Sequence, residues 1–398
     1  MKRFLIILLV AVIAFGGIIT YAVTQKPSVP AESGEISGTE AAENTENAES
    51  TESTASAESE TLFDYNALYR THEPEETVMT VNGEDISWDE YFQNLSQCMQ
   101  EAEYYGMTDL SAAVSEGEDT TWDEYIRLNA EEYVKNMYAV TGYCSKNGIE
   151  LTDEIRQSID ETLVAYTASV CGEGATEEDL AKYLKEQRYV TLDTFKKLVD
   201  AQYLVQNILT LAYGENCEKI TDEQAVSYLE ENGYINANHI LLLTMDMTTR
   251  EELDEAKQQE KEAQAKELSD QLKAAEGDSE ELVALFEELK EQYDEDSGKA
   301  TNPHGYTFKD GVMVKEFEEA AKALDEYEIS DPVKSTYGYH VIMRLPLDPD
   351  ALIAGSSSAT GRMMCASKEI SDRIQEEFDN SEVRYSEGFR DFKISDIV

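Results

Sequence analysis

Two short stretches depart from the helical pattern that fills most of this chain. "YINANHILLLTM", from Tyr234 to Met245, is a nearly continuous apolar run of strand length. "STYGYHVIMRL", from Ser335 to Leu345, alternates: Tyr339, Val341 and Met343 against His340, Ile342 and Arg344. Ile342 is as apolar as its neighbours, so the pattern predicts a strand covered in part on both faces. Between these stretches the period changes to that of helices. Residues 251–276 form a charged helix with a thin stripe of Leu253, Ala256, Leu268 and Leu272, which Gly277 ends. A second helix carries Leu282, Leu285, Phe286 and Leu289 on one face. A Gly/Asn/Pro-rich loop ends in a short strand at 305–308, and "KEFEEAAKAL" makes a third helix. Strand, two helices, short strand, helix and closing strands make an α+β segment.

Upstream, from about Leu62 to Asn232, the pattern is helical. Ser87, Thr121, Thr176 and Thr221 each precede an acidic or amide residue three positions on, the signature of a capped helix start. After Thr121, the residues Tyr125, Leu128, Tyr133, Met137 and Val140 lie close to one helical face and are expected in the core. Phe195, Leu198, Val199, Tyr203, Leu204 and Ile208 repeat that pattern after Thr191. Before the first long helix, "VMTVNGEDIS" reads as two short strands joined by an Asn82-Gly83 turn.

The first 61 residues follow neither pattern. Lys2 and Arg3 precede an uncharged run from Phe4 to Val23, roughly 30 Å long as a helix and enough to cross a bilayer. The expectation is an uncleaved, single-pass signal-anchor over 1–24, with the basic end inside and everything after it on the extracytoplasmic side of the cell membrane. Residues 25–61 are Ser, Thr, Glu, Ala and Asn with almost nothing apolar, the composition of a disordered acidic tether.

Composition narrows the partners. The chain of 398 residues has 83 acidic and 32 basic side chains, a formal charge of −51. Nucleic acid is excluded, because phosphates need clustered Lys and Arg. The five cysteines stand far apart without metal-ligand spacing; Cys98 and Cys144 fall in helical patterns and read as small buried residues.

The pieces "ANHILL", "YDEDSGKATNPHGYTF", "DGVMVKEFEEAAKAL" and "EISDPVKSTYGYHVI" resemble the parvulin family of peptidyl-prolyl isomerases, in the family's order and near its spacing. The hairpin and capped helix at Val78–Leu95 resemble the start of the helical chaperone domain in PrsA-type and SurA-type foldases. The resemblance implies five parts: the anchor at 1–24, the linker at 25–61, a helical chaperone domain at 62–234, a parvulin-type isomerase domain at 235–348, and a segment at 349–398 packing back on the helical domain. Deleting residues 361–398 should then destabilise the helical domain and spare the isomerase domain.

By the same resemblance His239 and His340 are the first-strand and last-strand histidines of the pocket. Asp296 holds the family's Cys-or-Asp position, Tyr337 supplies a hydroxyl, and Met313 with Phe317 receives the proline ring. The chain departs from the family at "NPHGYTF", where many members carry a Gly pair. It also has a single basic residue, Arg250, in the loop after the first strand, so no phosphate requirement is expected.

The chemistry suits such a pocket. An X-Pro bond turns over a barrier of about 18–20 kcal/mol set by partial double-bond character, and no covalent bond need break. A slot for the ring and a polar floor that favours the twisted amide suffice. Met313 and Phe317, four apart, are expected on one helix face, and no metal or cofactor is called for. The expected partners are unfolded or partly folded secreted polypeptides. The alternative is a chaperone whose parvulin domain is an inactive scaffold, since fold alone does not settle activity.

Overall fold

Short polar residues before apolar repeats fix where the helices begin. In the computed structural model, Ser87 accepts the Glu90 N–H and Thr121 the Glu124 N–H. Thr176 and Thr221 form reciprocal boxes with Asp179 and Gln224. The structure describes residues 63–397 apart from 108, 116–118 and 357. The expected anchor and tether lie outside the described residues. Among the described helices none is long and apolar enough to cross a membrane. The chain divides into two units: the described residues up to Ile208 together with those from Ile374 onward, and Leu209–Arg373.

The first unit contains α1 (Tyr65–Tyr69), the hairpin β1 (Thr77–Val81) and β2 (Glu84–Ser87), then α2 (Trp88–Tyr104), α3 (Trp122–Lys146), α4 (Asp153–Cys171), α5 (Glu177–Tyr183) and most of α6 (Leu192–Tyr213). Asn82 and Gly83 turn the hairpin at φ 55° and 86°, the left-handed pair a two-residue turn needs. The chain returns at its far end, where β7 (Val383–Tyr385) pairs antiparallel with the free edge of β1. Beyond β7, Phe389, Phe392 and Ile394 enter the same core as Trp88, Phe92 and Leu95. Asp89 is buried yet satisfied, accepting from Tyr69 Oη at 2.7 Å and from Thr191 Oγ1 and N at 2.7 and 2.9 Å.

One face is turned differently from the sequence expectation. Ile126, Ala130 and Val134 carry α3 into the core, while Tyr125 and Leu128 are 44% and 47% exposed. Small side chains sit where α3 meets α2, and the larger Tyr125 is left outside.

The second unit opens with the end of α6 and α7 (Asp222–Glu231), followed by β3 (Ile235–Leu243), α8 (Glu255–Lys273), α9 (Ser279–Tyr293), β4 (Tyr306–Phe308), α10 (Lys315–Ala323), β5 (Val333–Lys334), β6 (Gly338–Leu345) and the start of α11 (Gly361–Asp379). Its sheet has order β4-β3-β6-β5, all antiparallel. Ile240, Leu242, Val341 and Met343 pack with Leu268, Leu272, Phe286 and Leu289 of α8 and α9. Alternation turns Ala237 and Ile342 to the opposite face, against Phe317 and Ala321 of α10. Arg362 on α11 is buried and binds Asp350 through two hydrogen bonds, Asp222 at 2.5 Å and the Ile220 carbonyl. That node joins α7, the first half of α11 and the loop at Asp350 to one another within this unit.

Candidate functional site

The face of the sheet under α10 holds both strand histidines. His239 pairs with Ile342 and Leu241 with His340 across β3 and β6, so the two imidazoles are diagonal neighbours on one face. Their ring centroids are 5.1 Å apart at 74°, and both side chains are buried. Phe317 closes over them edge-on, 5.2 Å from His239 and 5.6 Å from His340.

Asp296 arrives from the loop after α9. Its Oδ2 is 3.2 Å from His239 Nε2 and accepts the Tyr306 hydroxyl at 2.6 Å, while Oδ1 accepts the Gly298 N–H at 2.8 Å. Burial alone would raise this carboxyl's pKa. The hydrogen bonds from His239, Tyr306 and Gly298 together outweigh it and hold Asp296 well below the usual carboxylate range. An ionised carboxylate only accepts, so the proton facing it is on His239 Nε2. Gly305 brings Tyr306 into place: its φ is 105°, and a Cβ there would sit 2.7 Å from the Ala237 carbonyl.

The loop is held along its length. Asp294 Oδ1 accepts the Leu241 N–H at 2.8 Å, and Glu295 N donates to the Leu241 carbonyl at 2.9 Å, taking up the edge of β3 where β4 has ended. Lys290, buried on α9, donates to Asn238 Oδ1 at 2.8 Å and to the Pro303 carbonyl at 2.6 Å. Asn238 Oδ1 also accepts the His239 N–H at 2.9 Å, so one ammonium ties the loop to the strand of the first histidine.

His340 is held by the turn that precedes its own strand. Its Nε2 is 2.7 Å from Ser335 Oγ, which also accepts the Tyr337 N–H at 3.1 Å. Tyr337 itself lies in the turn before β6 with its side chain 38% exposed. The turn donates the Tyr337 backbone N–H, and the hydroxyls of Ser335 and Tyr306 touch His340 and Asp296. Sequence reasoning missed both. The available signal was register: Tyr306 pairs with Ala237 on β3, two residues from His239 and therefore on its face.

Met313 and Phe317 are both present, but not as residues of one helix. The helix begins at Lys315, and Met313 precedes its cap. The Glu318 carboxylate accepts the Val312 and Met313 N–H groups at 2.9 Å each, which bends that segment over the helix start. Phe317 is buried among Ala237, Phe308 and Ile342, while Met313 remains half-buried at the edge of the same cluster.

Burial, aided by the neighbouring His239 imidazole and opposed by the Asp296 carboxylate, pushes the His340 pKa down to about 3. Its ordinary value in the unfolded chain is about 6.5. The unfolded state therefore binds the extra proton between those limits, and stability contributed by neutral His340 falls as pH drops from above about 6.5 toward 3. Thermal unfolding of the second unit should show a steeper loss between pH 7 and 4 in the wild type than in His340→Gln. Parallel slopes would contradict the assignment.

Residues 239–345 match the family model of the PPIC-type PPIase domain, the rotamase family. The foldase protein PrsA of Halalkalibacterium halodurans is 33% identical over 47% of this chain and 50% of its own length. That of Oceanobacillus iheyensis is 28% identical over 60% of this chain and 71% of its own. A solved PrsA from Bacillus subtilis matches at 22% identity over 67% of this chain and 89% of that one, with a TM-score of 0.24, so the kinship rests on sequence. The chain spans about half the length of the first of these relatives. The chain therefore matches the PPIC-type PPIase family model over residues 239–345 and is similar in sequence to PrsA foldases over about half of its length.

Proposed function

We propose that this protein is a peptidyl-prolyl cis–trans isomerase acting on X-Pro bonds of unfolded or partly folded secreted polypeptides outside the cytoplasm. The reading is carried by one observation: His239, His340, Asp296 and Phe317, distant in sequence, converge on one sheet face beside half-buried Met313. In this reading the proline ring rests on Met313 and the edge of Phe317. Asp296, an anion at physiological pH, faces the amide carbonyl. A planar amide carries more negative charge on its oxygen than a twisted one, so a fixed anion there raises the planar forms relative to the twisted state. His239, Tyr306 and Ser335 hold the geometry, and neutral His340 keeps the floor free of a competing positive charge. No bond is broken and no cofactor enters. Arg250 alone does not make a phosphate site, so phosphorylation before the proline is not required.

The remaining assignments belong to the same proposal. Residues 1–24 anchor the chain by one membrane-spanning helix, 25–61 form the tether, and 62–234 act as the chaperone part. The domains after the anchor stand on the extracytoplasmic side. Lys2 and Arg3 before the apolar run support that orientation.

The test is cis-to-trans relaxation of an X-Pro peptide. Wild type should accelerate it, and a His239→Ala/His340→Ala double variant should lose on the order of 100-fold, the scale of removing preorganised polar groups. Equal relaxation by the two proteins would leave the chaperone reading, with an inactive scaffold, in its place.

A further inference from the structure

The helical unit has a concave site of its own. Between the end of α2 and the first turns of α3 lies a cavity of about 360 Å³ lined by Tyr105, Trp122, Tyr125 and Tyr133, with Glu101 and Glu132 in the same lining. Tyr105 is 70% exposed and Tyr125 44%, large rings that the core of α3 does not use. They are not scattered: Trp122 meets Tyr125 edge-on at 5.4 Å and 84°. Glu101 is near enough to Tyr133 to add to the effect of burial in raising its hydroxyl's pKa.

These features together discriminate between occupants. Among the described residues no Lys, Arg or His is ion-paired with Glu101 or Glu132, and Glu101 accepts only a long bond from the Gln97 amide at 3.2 Å. An anionic or purely apolar guest would strip water from two carboxylates and give nothing in return. An ammonium or guanidinium gains from both carboxylates and from the faces of the surrounding rings. The volume, at the lower end of that of ligand pockets, exceeds one side chain and leaves room for an adjoining apolar residue.

We infer that this groove binds an extended polypeptide segment in which a Lys or Arg adjoins an aromatic or aliphatic side chain. The inference does not depend on the isomerase reading, because it concerns the other unit and is tested by binding rather than turnover.

The probe is a fluorescent, unstructured dodecapeptide containing Lys-Phe-Phe-Lys, with counterparts in which Gln or Glu replaces both lysines. The full chain should bind the Lys peptide at least tenfold more tightly than the Gln peptide, and the Glu peptide least. Glu101→Gln/Glu132→Gln should lose that tenfold preference while keeping its affinity for the Gln peptide. The chain's large negative charge attracts any cation, so the control is Glu161→Gln/Glu173→Gln, which makes the same charge change at exposed sites on and after α4. The inference holds if only the groove variant loses the preference and its melting temperature is unchanged. It fails if both variants lose it equally, if neither does, or if the wild type shows no preference.

Discussion

Phe317→Ala is expected to destabilise the isomerase unit by about 3–5 kcal/mol and to remove most X-Pro turnover. The ring is 2% exposed and touches His239, His340 and Phe308, with centroids at 5.2, 5.6 and 5.6 Å. Truncation removes the cover over both imidazoles as well as apolar contact area. Water entering beside His340 would relieve the burial that keeps it neutral, so its pKa should rise from about 3 toward the ordinary value. Denaturant unfolding measures the first effect, and histidine ring titration by NMR the second. Phe317→Leu should recover much of the stability but only part of the turnover, because it fills volume without restoring the ring edge. An unchanged unfolding midpoint for Phe317→Ala would show that the ring is not part of the core.

Removing residues 381–398 should prevent the helical unit from folding. The cut takes away β7, whose pairing covers the open edge of β1, and with it three side chains from the core: Phe389, Phe392 and Ile394. Buried Phe and Ile side chains are worth about 2–5 kcal/mol each, and a whole domain is stable by only about 5–15 kcal/mol. Further hydrogen bonds go too, among them Ser395 N to Asp123 Oδ1 at 2.8 Å and the reciprocal Asn82–Glu382 pair at 2.9 Å. Limited proteolysis should digest residues before about 208 and leave a resistant fragment near 209–373. A protected N-terminal half would overturn the expectation. The cut matters: the larger deletion of 361–398 considered from sequence would also remove Arg362 and Ala366, which pack in the unit holding the isomerase domain, and so would damage both.

What could be read beforehand was local. Helix caps at Ser87, Thr121, Thr176 and Thr221 depend on residues three apart, and the Asn82-Gly83 turn on two adjacent ones. Buried Cys98 and Cys144 followed from period alone. The histidines were singled out by their rarity and placed by family likeness. What failed was the side-chain detail that depends on the third dimension. Ser335 reaches His340 because a turn folds the chain back between them. Tyr306 reaches Asp296 because a left-handed glycine redirects the loop. The same turn has the Tyr337 N–H donate to Ser335 Oγ, a contact that residue type does not announce. Met313 was counted along a helix that begins two residues later. On α3 the largest apolar side chains suggest one face, whereas close approach of two helices favours Ala130 and Val134.

The pairing of β1 with β7 also sets an order of events. Asn82 and Glu382 are joined across 300 positions, so the first sheet cannot be finished until Val383–Tyr385 have been made and delivered. Residues 209–373 depend on no such late arrival, being continuous in sequence. On a chain that emerges N-terminus first, the middle unit reaches its native state while the earlier one still waits, its β1 edge open. Once folded, that middle unit acts as a rigid spacer, shortening the floppy length that β7 must search across and lowering the entropy of closing the loop.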